Sequence, residues 1–144
     1  MEHSPWQLLL KNGNQCFDNQ QLDQAETFYL HAYDLLSKAR GNDPKSSELL
    51  MDWICTCHNL SSLYQELAHL DLSLEYLMIP HEYLLKVLEA NFLADEIKQA
   101  AFKGISITLP AILLFAKNHE NCDGCCSQFP SLKKIMALET CTIH

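Results

Sequence analysis

The 144-residue chain has only four glycines and five prolines, and no run of alternating apolar and polar residues bounded by turn signals. That scarcity excludes a loop-rich β fold and points to an all-α chain of one domain. Basic residues are also few: ten Lys and Arg against eighteen Asp and Glu give a net charge of −8, and no basic cluster exceeds Lys133-Lys134. Such a balance opposes the phosphate contacts that dominate nucleic-acid affinity, so no nucleic acid is expected as a partner. The most apolar stretch, Ile105 to Ala116, falls short of the roughly 20 residues of a membrane span and contains Ser106, Thr108 and Pro110. It reads as a buried helix, and no membrane is expected. The N-terminal MEHSPW has an acid and a proline where a secretory signal carries basic residues and then an apolar run. Also missing are a glycine-rich phosphate loop, a G-x-S-x-G turn and a carboxylate pair set apart from ordinary helix-surface charge. His81-Glu82 begins like a zinc-protease helix, but Leu85 stands where the second histidine must be. No catalytic residue is expected.

What is present is helical periodicity. Ser4-Pro5-Trp6-Gln7 combines a capping side chain, a proline at the first helical position and a glutamine that can reach back to the cap, which starts a helix from Pro5 to Phe17. Leu22, Ala25, Phe28, Tyr29, Ala32, Leu36 and Ala39 form the stripe of a second, with Gly41 suited to a left-handed cap. Asp43-Pro44 then restarts a third, which runs to about Ala68 along Leu50, Trp53, Ile54, Cys57, Leu60, Tyr64 and Leu67. A fourth carries Leu74, Leu77, Leu84, Leu88 and Phe92, with Pro80 expected to kink it or end its first part. A fifth covers Ala94 to Lys117, with the region of Gly104 and Pro110 as its weak point, and Phe129-Pro130 opens a short helix through Glu139. Residues 1–117 thus form a helical domain and residues 118–144 a cysteine-rich segment.

Gly13, Leu22, Ala25, Tyr29 and Ala32 sit at the small, aromatic and alanine spacings of a tetratricopeptide (TPR) repeat, and the chain resembles that family. A second copy reads Leu60, Ser61, Tyr64, Ala68, Leu70, Ser73 and Leu77. Gly13 and Ser61 are 48 positions apart, so the spacing exceeds the usual ~34. A third copy on Gly104 resembles a capping segment, and the whole also looks like a small bacterial family of this architecture. The resemblance implies antiparallel helical hairpins stacked as a short α-solenoid, with a concave face lined by the first helix of each pair. It places Gln7, Leu10, Asn14 and Phe17 in that face, then Cys55, Ser62, Tyr64 and Glu66, with Asn59 beside them. Asn14, Asn59 and Lys98 match three positions of a carboxylate clamp found in some relatives, while Leu10 and Phe102 depart from it. Solvated polar residues on helix surfaces explain the same letters.

Seven cysteines, an odd number with Cys55 and Cys57 inside an apolar helical pattern, do not make a secreted disulfide framework. A reducing cytoplasm fits them. Cys57 reads as core packing. The tail, His119-x2-Cys122-x2-Cys125-Cys126 and then Cys141-x2-His144, with fifteen residues between Cys125 and Cys141, has the spacing of a structural zinc site. Cys122, Cys125, Cys141 and His144 are the candidate ligands, with Asp123-Gly124 favouring the turn. A passive reduced tail and a redox-active Cys122–Cys125 pair account for the same residues.

The expected function is a non-catalytic, cytoplasmic interaction module that binds a peptide or protein through Asn14, Phe17, Asn59 and Glu66. The competing class is a zinc-binding or thiol-redox protein acting through its tail, and a homodimer pairing its apolar stripes is a third reading.

Overall fold

A computed structural model describes residues 4–90 and 95–119. Among the described residues there are five helices and no strand: α1 (Pro5–Asp18), α2 (Leu22–Asn42), α3 (Ser47–Glu66), α4 (Leu70–Glu89) and α5 (Asp95–Asn118). Each packs on its neighbour in sequence, and α5 also packs on α3. Direction follows from the contacts. Arg40 meets Trp53 while Glu26 meets Tyr64, so α2 and α3 are antiparallel. His81 meets Thr108 and Leu84 lies against Gly104, so α4 and α5 are antiparallel as well. The odd-numbered helices therefore run parallel: the Trp6 indole of α1 donates to Asp52 of α3 at 3.1 Å, and Ile54 of α3 lies against Gly104 of α5.

The first start signal acts as the sequence implies, since Ser4 N–H donates to Gln7 Oε1 at 3.1 Å. The α2–α3 junction differs from expectation. Gly41 keeps a negative φ inside α2, which continues to Asn42 and closes with Asp43 N–H donating to Ala39 O. Pro44 lies in the turn, and α3 starts three residues after it because the Ser46 hydroxyl accepts from Leu49 N–H at 3.2 Å. Pro80 neither breaks nor ends α4. It removes one backbone donor, but the buried residues Leu74, Leu77, Met78, Leu84 and Val87 hold the helix between its neighbours. Pro110 likewise lies within an unbroken α5.

The turns α1–α2 and α3–α4 are copies of one another. Gln20 has φ 62° and Ala68 φ 60°, and in each case the next N–H reaches back across the turn, Gln21 to Cys16 O and His69 to Tyr64 O, both at 2.8 Å. The separation is again 48 positions. Inside the hairpins, a Cβ on Gly13 would come within 2.6 Å of the Tyr29 ring, so only glycine admits it. At the matching position Ser61 faces Ser73, with their hydroxyls 2.9 Å apart, and Ser73 also donates to Ser61 O.

The core centres on α3. Leu36, Leu50, Ile54 and Leu84 are fully buried together, each contributing about 1.5–3 kcal/mol. Gly104 is no weak point: α5 runs unbroken through it, and there Ile54 of α3 and Leu84 of α4 lie close against the helix. The segment Ile105 to Ala116 is only partly covered. Thr108, Ile112, Phe115 and Ala116 are buried, yet Leu114 is 60% exposed and Ile107 37%. By length and composition α5 could cross a membrane, and 33% of its apolar window is buried.

Candidate functional site

The two sides of the helix layer are filled in different ways. Where α2 and α4 flank α3, aromatic rings close the space. Tyr33 meets Tyr76 edge-on at 5.6 Å, Tyr76 stacks on Tyr64 at 5.7 Å, and the Tyr64 hydroxyl donates to Glu26 at 2.7 Å. Farther along, the Arg40 guanidinium lies 4.2 Å from the centre of the Trp53 ring and 4.5 Å from that of Tyr83. Burial pushes the Tyr76 hydroxyl up to about 12 and raises Tyr33 and Tyr64 also, so these phenols stay protonated.

The side formed by the parallel odd-numbered helices is open between α3 and α5. One cleft, of about 330 Å³, lies between Ser47 and Met51 of α3 and Glu96, Gln99 and Lys103 of α5. A second, of about 170 Å³, lies at the other end. Its polar wall is His58, Ser62 and Gln65, and its apolar wall is Leu77, Leu114 and Phe115. Ser47 to Gln65 spans about 27 Å of helix, and helical spacing places Cys55 and Ile107 between the clefts. Cys55 is exposed. His58, one of the residues lining the second cleft, has its Nε2 buried without a hydrogen-bond partner. Burial holds the His58 imidazole below its ordinary range, so it is neutral at pH 7.

The residues anticipated for binding are distributed along this side. Asn14 is exposed on α1, but its Oδ1 accepts from the Tyr29 hydroxyl at 2.6 Å, which ties it to the hairpin interior. Phe17 is half-buried against the cluster of Cys16, Ala25, Tyr29, Leu60, Leu63 and Tyr64. Asn59 is half-buried on α3 and Glu66 is exposed at its last turn, and nothing brings the four into a single pocket. Tyr64, expected in the groove, is 4% exposed and points the other way, into the aromatic seal, because its phenol finds Glu26 there. Sequence reasoning missed His58, Gln65 and Leu114. Their signal is the stripe Met51, His58, Ser62, Gln65 on α3 and Lys103, Ile107, Ala111, Leu114 on α5, which acquires meaning only once α3 and α5 are known to lie side by side.

Cys57 is fully buried and burial raises its thiol, as expected of a core cysteine. Among the described residues no group of three or more His, Cys, Asp or Glu side chains is placed to hold a metal ion. The candidate ligands Cys122, Cys125, Cys141 and His144 lie outside the described residues, as does the helix anticipated from Phe129.

Compared with known proteins, residues 4–144 match the profile of a family described as "Protein of unknown function (DUF2753)", and the chain belongs to that family. No curated protein and no solved structure matches it.

Proposed function

For this member of the family we propose a non-catalytic interaction module: two TPR-like hairpins and α5 stack as a short α-solenoid whose odd-helix face binds a peptide or protein in the cytoplasm. The observation that carries the reading is the groove between α3 and α5. Its walls combine exposed apolar side chains, Ile107 and Leu114, with polar groups that the fold leaves uncommitted, whereas the opposite side is sealed by the protein's own rings. Parallel helices set side by side offer a continuous trough, and an apolar anchor in such a trough is a recurring way to hold a peptide. Asn59 and Glu66, on the other flank of α3, would contact the same partner where it crosses toward α1.

The test is selection of binders from a random peptide display library, followed by amide chemical-shift mapping on the isotope-labelled protein. Perturbations at Met51, His58, Ser62, Lys103 and Leu114 that vanish in Leu114→Asp support the reading. Peptides that map to the α2/α4 side, or no enrichment above an unrelated control protein, overturn it.

A further inference from the structure

The two hairpins share a 48-residue register, and the second cleft lies at the point where their contents differ. Ser61, Ser62 and Leu77, which line it, correspond to Gly13, Asn14 and Tyr29. In the first hairpin that space is occupied from within: the Tyr29 phenol lies on Gly13, and its hydroxyl donates to Asn14. In the second, a leucine stands in place of the tyrosine, its side chain is shorter and ends without a polar atom, and the space stays open toward solvent beside Leu114.

Resting on the peptide-binding reading above, we propose that the cleft between α3 and α5 takes the side chain of a partner tyrosine, its ring between Leu114 and Leu77 and its hydroxyl answered by His58 and Ser62. The volume of about 170 Å³ suits one ring-bearing side chain and is below the several hundred Å³ of a drug-sized ligand site. The residues lining the cleft carry no formal charge with His58 neutral, so neither a lysine nor a carboxylate finds a counter-charge there. An apolar wall facing unspent hydrogen-bonding groups matches a side chain with an apolar body and a polar tip. His58 lines the cleft and its Nε2 is buried without a partner, so a turn of the ring that brings this atom to the tip would satisfy it, and an unmade bond at a buried atom is costly.

The experiment titrates N-acetyl-tyrosinamide, N-acetyl-phenylalaninamide and N-acetyl-leucinamide into the full-length labelled protein and follows the amides of Ser62, Gln65, Leu114 and Asn118. The expected result is saturation by the tyrosine probe at a concentration several-fold lower than by the other two. His58→Phe should remove that preference while leaving the phenylalanine probe unchanged, and His58→Asn should keep part of it. The pair Ser61→Gly and Leu77→Tyr rebuilds the first hairpin in the second, and in that variant the cleft should bind no probe. Equal binding of the tyrosine and phenylalanine probes, or shifts confined to another surface, overturns the tyrosine assignment. The broader reading then stands or falls separately, because display-selected peptides can still map to the groove without any tyrosine. If the probes enter the cleft and no peptide does, the peptide-binding reading fails on its own.

Discussion

In the first hairpin a bare glycine lets a tyrosine ring lie against the α1 backbone, whereas in the second, 48 residues later, two serine hydroxyls meet at 2.9 Å beside a leucine. The turns are the same to within a few degrees of φ, and both close with 2.8 Å bonds, so the backbone course does not depend on what fills it. The comparison teaches that one backbone course accepts two fillings, of which the second leaves a cleft beside Leu114. Glycine with tyrosine in one copy is replaced by serine with leucine in the other.

The sharpest way to break the first hairpin is Gly13→Val. Its Cβ and branches meet the Tyr29 ring, which the bond to Asn14 holds in place, and the loss of stability should reach about 3 kcal/mol or abolish folding. Gly104→Ala should cost less, because the atoms in its way are the terminal methyls of Leu84 and Ile54, which can shift. Urea denaturation of both variants ranks them, and a larger loss at Gly104 would reverse the account given for the two sites.

In the second hairpin Ser73→Ala should cost about 1–2 kcal/mol, since it leaves the Ser61 hydroxyl buried without its partner. The double change Ser61→Ala and Ser73→Ala should be milder than the sum of the two single changes, as both polar groups leave together. A double-mutant cycle by thermal melting reads this directly, and strict additivity would show that the hydroxyls do not depend on one another.

The α4/α5 contact should respond to acid. His81 is 3% exposed, its Nδ1 lies 2.8 Å from Thr108 Oγ1, and burial lowers its pKa despite the nearby Glu82. His58 is lowered also. Because the unfolded chain takes up these protons more readily than the folded one, the associated stability is fully present above about pH 6.5 and is lost as pH falls through the lowered native values. The denaturation midpoint should drop between pH 7 and pH 5, and His81→Gln should flatten part of that slope. A midpoint that rises on acidification through this range would contradict the burial of neutral imidazoles.

The smallest effects sharpen the likeness of the turns. Gln20→Gly and Ala68→Gly each relieve a side chain at positive φ and should stabilise by about 1 kcal/mol or less, and by equal amounts. Unequal shifts in melting temperature would show that the two turns carry different strain.

Much of this was readable beforehand. The stripes of α2 and α3 and the Ser4-Gln7 start appear in the letters because helical period and capping are local properties. The matched positions at 13 and 61 also appear, since close approach demands small residues. Gly41 and Pro44 misled because a glycine permits a left-handed cap without requiring one, and Ser46 outcompetes the earlier start by capping Leu49. Pro80 misled because one missing donor weighs little against burial on both flanks. The cleft was the least legible part: it belongs to α3 and α5 together, and the letters of either helix alone do not reveal which one lies beside it.

The Ser61–Ser73 contact bears on how α4 is threaded along α3. Were α4 to slide by one helical turn, the two hydroxyls would part and the bond from Ser73 to Ser61 O would be lost, so the pair favours the present axial setting. The first hairpin is keyed by other means: the Tyr29 ring seats on Gly13 and its hydroxyl bonds Asn14, so a ring and one polar contact set the axial position there.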